Sequence, residues 1–189
     1  RPDLVLFCYL HLASPESREL LQLLLKKRVT ALGLETVEKE GRTIFLEPMS
    51  EIAGTLAGYF AGFFRRYVRV EGKRIHYPPR LVEKLGELAG FFPGIPERLD
   101  PGKAVVFGGG TVGRRAVEIL LKMGGQVDLI EKRRERRELL SAELKSFGSR
   151  LRIWGLEDSF EGRLREAEVW VGCVHVVGEK APWVISEDK

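Results

Sequence analysis

Long apolar runs, cysteines and a one-sided charge are what this sequence has little of. Its most apolar stretch, residues 52–64, is 13 residues long and ends at two arginines, whereas a membrane-spanning helix needs about 20. No signal peptide precedes the first apolar segment, and the two cysteines, Cys8 and Cys173, stand in apolar runs, as buried thiols of a reducing compartment do. We therefore expect a cytoplasmic chain with no membrane partner and no disulfide scaffold.

The composition is that of a globular protein, with 44% hydrophobic and 31% charged residues among 189. Collagen-like, low-complexity and disordered chains are thereby excluded. Lys and Arg outnumber Asp and Glu by 31 to 27, and most of the excess lies in residues 132–138. Glutamates at helical spacing in that run, with no interleaved aromatic residues, predict a solvent-exposed helix face and no nucleic-acid partner.

The first third of the chain alternates strand and helix signals. Residues 4–9 form an apolar run of strand length, and Ser14-Pro15 then supplies an N-cap and a proline at the first helical position. After a second strand at residues 29–34, the segments around Glu40-Gly41 predict a hairpin. The helix between the strands is predicted to bury a stripe of four leucines, Leu20, Leu21, Leu24 and Leu25.

A long helix is predicted from Ser50, as its N-cap, to about Tyr67. Its glycines recur every fourth residue, at Gly54, Gly58 and Gly62, which indicates that another backbone packs closely against that face. Residues 68–102 have an irregular pattern, with one short helix predicted at residues 81–89.

Beyond residue 102, strands and helices alternate regularly. Strands are predicted at residues 104–107, 127–130, 151–154 and 169–174, and helices at residues 111–123, 133–147 and 160–166. This alternation predicts a parallel sheet covered on both faces. The expected fold class is therefore α/β, with a Rossmann-type doubly wound parallel sheet.

Residues 108–113, Gly-Gly-Gly-Thr-Val-Gly, match the pattern G-x-G-x-x-G. The match gains weight because the loop follows a predicted strand, opens a predicted helix and precedes an acid, Glu131, 18 residues beyond Gly113. Gly108 permits a tight turn, Gly110 lets a pyrophosphate approach the backbone, and Gly113 lets the helix pack close to its strand. A dinucleotide site is the leading prediction. A glycine turn that binds another nucleotide, or none, is the alternative.

Glu131 affects the choice between NAD and NADP. Its carboxylate can accept hydrogen bonds from the adenosine ribose hydroxyls, and its charge repels a 2′-phosphate, so NAD is the favoured cofactor. The arginines nearby leave NADP open.

Five segments stand out along the chain, namely Tyr9-Leu10-His11-Leu12-Ala13, Glu35-Thr36-Val37, Pro48-Met49-Ser50-Glu51-Ile52-Ala53-Gly54, the glycine loop and Lys180-Ala181-Pro182. Their order resembles that in the alanine dehydrogenases, a family that shares its fold with the nucleotide-binding subunit of proton-translocating transhydrogenase. The sequence resembles this family over nearly its whole length, apart from residues 68–102. The first motif favours the dehydrogenase branch.

The resemblance implies a domain organisation and an activity. Residues 1–49 would be part of a second α/β domain, which binds substrate. Residues 50–189 would be an NAD-binding Rossmann domain, incomplete at its C-terminal end, with a connecting helix at 50–67 and an irregular segment at 68–102. The implied reaction is the reversible, NAD-dependent oxidative deamination of L-alanine to pyruvate and ammonia, in a homo-oligomer.

The resemblance also assigns site residues. His11 matches the catalytic histidine, and an imidazole can hydrogen-bond a keto-acid carbonyl and exchange protons near neutral pH. The implied cofactor contacts are Ser50 to a phosphate, Val112 and Gly113 at the end of the loop, Glu131 to the ribose, Arg136 as a basic contact, and Val174 and His175 beside the nicotinamide. An ordinary helix N-cap is the alternative for Ser50, and a solvent-facing charge is the alternative for Arg136. No metal ligand is predicted.

Two parts of the family's pattern have no counterpart here. The arginine and lysine that bind the substrate carboxylate would precede Arg1, and an aspartate, the second catalytic group, would follow Lys189. We therefore expect a fragment that carries the cofactor side and one catalytic histidine. The alternatives are a noncatalytic nucleotide-binding module and a transhydrogenase-like NAD(H)-binding subunit.

Overall fold

Each apolar run predicted to be a strand pairs with another such run in the computed structural model, which describes residues 4–72, 74–76, 80, 83 and 99–174. His175 and nearly all of the helix predicted at residues 81–89 lie outside the described residues. The strands are β1 Val5–Cys8, β2 Thr30–Gly33, β3 Glu38–Lys39, β4 Arg42–Thr43, β5 Arg69–Glu71, β6 Arg74–His76, β7 Lys103–Phe107, β8 Gln126–Ile130, β9 Leu151–Trp154 and β10 Val169–Gly172. The described α-helices are α1 Arg18–Lys26, α2 Leu46–Tyr67, α3 Thr111–Lys122, α4 Arg134–Glu143 and α5 Glu161–Glu166.

The described chain divides into two units, residues 4–51 and residues 52–174. In the first unit, β1 and β2 pair in parallel, with Val5 opposite Thr30 and Cys8 opposite Gly33. The predicted hairpin is confirmed, although each of its strands, β3 and β4, has only two residues. Its turn residues, Glu40 and Gly41, both have positive φ angles of 53° and 75°, as a two-residue hairpin turn requires.

The predicted stripe of buried leucines on α1 is wrong for three of its four members. Leu24 is buried, but Leu20 and Leu21 are exposed and Leu25 is 69% exposed. In the described part of this unit the parallel sheet has two strands, which offer too little apolar surface to cover a whole helix face.

The helix α2 begins at Leu46, four residues before the predicted start, and ends at Tyr67 as expected. Pro48 is tolerated because it occupies the first turn, where a backbone N–H has no partner inside the helix. Ser50 therefore lies within the helix, and its prediction as the N-cap is wrong. Across residues 4–72, 74–76 and 99–174, no helix has the length and hydropathy of a membrane span.

The second unit is built on a four-stranded sheet in the order β10-β7-β8-β9, with every pair parallel. Side chains from α2, α3 and α4 form one apolar cluster with alternate residues of the strands, so these helices cover one face. The connection through α5 returns across the sheet from β9 to β10, and the right-handed rule for such crossovers places it on the other face. The predicted α/β fold with a doubly wound parallel sheet is confirmed.

Two local predictions about this unit need correction. The segment predicted to be irregular contains an antiparallel hairpin, β5 with β6. The helix predicted at residues 133–147 ends at Glu143 and gives way to a 3-10 helix, Lys145–Arg150. Gly148, with a φ of 57°, interrupts that 3-10 helix, because this left-handed conformation cannot continue a right-handed helix.

The glycine face of α2 packs directly on α3, as the fourfold spacing predicts. A Cβ atom at Gly58 would lie 2.6 Å from Ile119 Cγ2 and 2.7 Å from Ile119 Cβ. A Cβ atom at Gly54 would overlap the carbonyl oxygen of Val112 and lie 2.7 Å from Arg115 Cβ. The two helix backbones therefore approach as closely as glycine allows.

Replacing Gly58 by alanine should lower the free energy of unfolding by about 1 to 3 kcal/mol, the usual cost of overpacking a close contact. The matched control is Gly162→Ala in α5, where nothing lies within 4 Å of the new methyl group. That control should be neutral or stabilising by up to about 1 kcal/mol, since alanine favours helix over glycine. Urea denaturation followed by circular dichroism measures both. Equal stability of the two variants would contradict the packing described here.

Candidate functional site

The turn between β7 and α3 is sterically restricted to glycine at two positions. Gly108 has a φ of 92°, in the left-handed region, and its N–H donates to the carbonyl oxygen of Ile130 at 2.8 Å. A Cβ atom there would lie 2.9 Å from the carbonyl oxygen of Cys173. A Cβ atom at Gly113 would overlap the carbonyl oxygen of Gly108. The first turn of α3 therefore sits directly on the turn that precedes it.

Gly110 differs from these two glycines because the space beside it is open. It is the N-cap of α3 with an ordinary φ of −65°, and no atom lies within 4 Å of the position a Cβ would take. As a glycine, it has no side chain that could cap the helix. The start of α3 therefore presents backbone N–H groups and the positive end of the helix dipole to open space.

Glu131 is the acid at the end of β8, and it is tied to the glycine loop. Its side chain is buried, with the residue only 5% exposed. The N–H of Gly109 donates to Oε2 at 2.7 Å, and the N–H of Arg133 donates to Oε1 at 2.9 Å. Burial alone would raise the pKa of Glu131, but the Arg133 guanidinium and these two N–H groups outweigh it and hold the pKa below its ordinary value.

The basic run 132–138 is only partly the exposed face that its sequence predicts. Arg136 is half-buried, and its Nε donates to the carbonyl oxygen of Gly109 at 2.7 Å. Arg137 is also half-buried, and its Nη1 donates to the carbonyl oxygens of Glu131 and Lys132, each at 3.0 Å. The exposed-face prediction is therefore wrong for these two residues, because the loop and the end of β8 offer them acceptors.

The carboxyl ends of β7, β8 and β10 meet at one edge of the sheet, where the strand order reverses direction. Cys173, just after β10, donates its N–H to the carbonyl oxygen of Phe107 at 2.8 Å, and Val174 Cγ2 approaches Gly108. Burial raises the pKa of the Cys173 thiol to about 11, so it stays protonated near neutral pH.

The structure brings together most of the predicted cofactor residues at this edge. They are Gly108, Gly110, Val112, Gly113, Glu131, Arg136 and Val174. His175 lies outside the described residues.

In the first unit, His11 has an unusual backbone conformation. Its φ is 47°, in the left-handed region that side chains rarely adopt. The same conformation at Glu40 belongs to a two-residue hairpin turn, and at Arg28 it ends α1. His11 has neither explanation. Such strain is kept where the surroundings enforce it, and functional sites are frequent among those places.

Glu35 holds the backbone at His11 in this conformation, a role that its sequence motif does not indicate. Its Oε1 accepts the N–H of His11 at 2.7 Å, and its Oε2 accepts the N–H of Leu10 at 3.2 Å. Gly33 leaves room for the carboxylate, since a Cβ there would lie 2.9 Å from Oε1. The contact between Glu35 and His11 could have been predicted from the parallel register of β1 and β2. Because Cys8 pairs with Gly33, the residues just beyond β1 lie beside those just beyond β2.

Burial alone would raise the pKa of Glu35, but hydrogen bonds from the N–H groups of Glu35 itself, His11 and Leu10 outweigh it and lower the pKa. The carboxylate is therefore charged at neutral pH and acts as a fixed acceptor for the turn at His11. Ser50 also belongs to the first unit, where it lies half-buried within α2.

A parallel sheet with this glycine turn, an open helix start and an acid after the second strand defines the larger unit as a domain of the Rossmann class. Comparison with known proteins identifies the family. The model of the alanine dehydrogenase/PNT C-terminal domain matches residues 77–189, and that of the N-terminal domain matches residues 1–53. The chain belongs to the alanine dehydrogenase/PNT family.

Individual relatives agree with this membership. Alanine dehydrogenase 2 of Staphylococcus aureus (strain USA300) is 32% identical over all of this chain, and alanine dehydrogenase of Staphylococcus epidermidis (strain ATCC 12228) is 31% identical over all of it. The chain spans 45% of the length of each. A solved structure of an L-alanine dehydrogenase has a TM-score of 0.67 and 31% identity, with 98% of this chain and 46% of that chain covered.

A more distant structure shares the fold alone. The transhydrogenase from Sinorhizobium meliloti has a TM-score of 0.59 and 14% identity, with 97% of this chain and 49% of that chain covered. The predicted resemblance to the alanine dehydrogenases is confirmed.

Replacing Glu35 by alanine removes the acceptor for two N–H groups, so we expect the free energy of unfolding at neutral pH to fall by about 1 kcal/mol. The folded pKa lies below the ordinary value of about 4.3, so this contribution is fully present above that pH. It disappears as the pH falls through the folded pKa. Urea denaturation across that pH range measures the difference between wild type and variant.

The matched control is Glu38→Ala, which removes an exposed carboxylate from β3 of the same unit. It should change stability little at any pH. If Glu35→Ala were as stable as Glu38→Ala at neutral pH, Glu35 would not hold the turn at His11.

Proposed function

We propose that the chain binds NAD(H) at the carboxyl edge of its four-stranded sheet and forms the cofactor side of an amino-acid dehydrogenase of the alanine dehydrogenase type. The observation that carries the proposal is the glycine turn, with open space at Gly110 and an ionised acid, Glu131, on the neighbouring strand. Family membership and the alanine dehydrogenase relatives support the reaction class.

The residues present fit a dinucleotide. A pyrophosphate needs a helix start that its oxygens can approach, and the missing side chain at Gly110 leaves that approach open. The adenosine ribose needs a charged acceptor one strand away, and the lowered pKa keeps Glu131 ionised at neutral pH. A helix start and an acid after the next strand are the two features that the pyrophosphate and the ribose of a dinucleotide need.

Each predicted residue then has a proposed role. The N–H groups at the start of α3, including that of Val112, bind the pyrophosphate, and Gly113 keeps α3 against its strand. Glu131 accepts the ribose hydroxyls, and Arg136 fixes the Gly109 peptide beside them. For Ser50, Val174 and His175, the contacts to a phosphate and to the nicotinamide side rest on the family resemblance.

The proposed reaction converts L-alanine, NAD⁺ and water into pyruvate, ammonium, NADH and a proton, and runs in either direction. Bound NAD supplies the hydride acceptor. His11 donates a hydrogen bond to the carbonyl oxygen of the keto acid and exchanges protons with the substrate, and Glu35 holds the backbone from which the imidazole projects. We further propose that the complete enzyme is a cytoplasmic homo-oligomer.

A nucleotide-binding module without catalysis is the second candidate. The observation that favours it is that the unit at residues 52–174 brings together cofactor residues, whereas His11 belongs to the unit at residues 4–51. Such a module would bind NADH and form none from L-alanine. A transhydrogenase-like NAD(H)-binding subunit would exchange hydride only between two nicotinamide nucleotides.

Gly110→Ala tests the nucleotide site without disturbing the fold. The added methyl group meets no atom within 4 Å, and the φ of −65° suits alanine, so stability should change by less than about 1 kcal/mol. The same methyl group would stand where the pyrophosphate approaches, so NADH affinity should fall by about tenfold or more. Titration of NADH fluorescence measures the affinity.

Gly162→Ala is again the matched control, since it adds a methyl group at another open glycine, far along the chain in α5. It should bind NADH as wild type does. Equal affinity of Gly110→Ala and wild type would contradict the assignment of the pyrophosphate to this loop.

His11→Ala tests the catalytic assignment. We expect formation of NADH from L-alanine and NAD⁺ to fall by about 100-fold or more, the usual contribution of a general acid or base. His76→Ala is the control, because His76 is an exposed histidine of β6 paired with Glu71. Full turnover by His11→Ala would exclude His11 from the chemistry, and a wild-type protein that binds NADH without turnover would favour the noncatalytic module.

A further inference from the structure

Arg133 lies across the carboxylate that is proposed to accept the ribose hydroxyls. Its Nε donates to Glu131 Oε1 at 3.0 Å, and its Nη2 lies 3.4 Å from Oε2. The two members of this ion pair are very differently exposed, because the Glu131 side chain is buried while that of Arg133 is 62% exposed. The guanidinium therefore forms the outer surface of the ribose end of the site.

The ion pair changes the electrostatic argument about a 2′-phosphate. A lone buried carboxylate at this position would repel it, which is the usual basis of selectivity for NAD. Here the charge of Glu131 is balanced by a guanidinium in direct contact, and three N–H groups of Gly109 and Arg133 point at the same two oxygens. The repulsion that the sequence predicts from Glu131 is therefore largely cancelled.

Among the arginines of residues 132–138, Arg133 is the one placed to meet an added phosphate. Arg136 and Arg137 are half-buried and donate to backbone carbonyl oxygens. Arg134 points elsewhere, toward Glu138 on the next turn of α4. Among the described residues the hydrogen bonds of the Arg133 side chain go to Glu131 alone.

We infer that Arg133 determines the nucleotide specificity of this site, and that it allows the chain to bind NADP(H) with an affinity within about tenfold of that for NAD(H). This inference rests on the proposed dinucleotide site. With NAD(H), the ribose hydroxyls donate to Glu131 beside the guanidinium. With NADP(H), the guanidinium turns outward and pairs with the 2′-phosphate, for which its planar fork of donors is suited.

Little opposes that movement. The guanidinium is the exposed member of the pair, so solvent screens it, and pairing with the 2′-phosphate replaces the contact with Glu131 that the movement gives up. The two backbone N–H groups remain on the Glu131 oxygens after the guanidinium has moved, so the buried carboxylate keeps hydrogen-bond partners.

The test compares NADH and NADPH binding to the whole chain by fluorescence titration at about physiological ionic strength. Wild type should bind both, with dissociation constants within about tenfold of each other. Arg133→Met keeps much of the apolar stem and removes the guanidinium, and should weaken NADPH by about tenfold or more while changing NADH by less than about threefold. Arg133→Lys, which keeps the charge without the fork, should fall between wild type and Arg133→Met for NADPH.

Arg134→Met is the matched control, since it removes the same charge from the next residue, whose side chain is 81% exposed. It should change neither affinity by more than about twofold. Equal loss of NADPH affinity in the Arg133 and Arg134 variants would overturn the inference, because the effect would then be general charge attraction. A wild-type protein that binds NADH more than about tenfold more tightly than NADPH would also overturn it. That result would leave the proposed dinucleotide site intact. Folded wild type that binds neither nucleotide would overturn both proposals.

Discussion

The close approach of α3 to the turn before it is the constraint on which the larger unit depends. Gly113 rests on the carbonyl oxygen of Gly108, Gly108 passes beside the carbonyl oxygen of Cys173, and Gly54 of α2 rests on the carbonyl oxygen of Val112. A side chain at any of these positions would separate two backbones that are in contact. Sterics therefore set where the start of α3 lies relative to the strand ends, and that start is the proposed anion site.

Glu131 has both a structural role in the glycine turn and a proposed role in binding the ribose, and a substitution of Glu131 would affect both. A buried carboxylate is costly unless hydrogen bonds satisfy it, and those from Gly109 and Arg133 do so while they fix the loop. The acid is thus part of the structure of the turn and also the proposed ribose acceptor. Gly110 and the side chain of Arg133 contribute little to holding the turn, since the first faces open space and the second lies at the surface.

The sequence predicts the parts of this molecule that depend on neighbours along the chain. The strands of the large sheet, the glycine turn and Glu131 at the end of β8 follow from local periodicity and spacing. The partners of Arg136 and Glu35 do not, because they are backbone groups 27 and 24 residues away and only strand register brings them close. The exposure of Leu25 was missed for a related reason, since periodicity identifies an apolar face and says nothing of what covers it.

Residue-resolved mapping of amide signals by NMR, during addition of NAD⁺, tests the central claim most directly. If the dinucleotide binds at the carboxyl edge of the sheet, the largest shifts belong to the N–H groups of Gly110, Thr111 and Val112, with a second group at Glu131 and Arg133. Unchanged signals from these five residues at saturating NAD⁺ would contradict the account, whether the nucleotide then bound elsewhere or failed to bind.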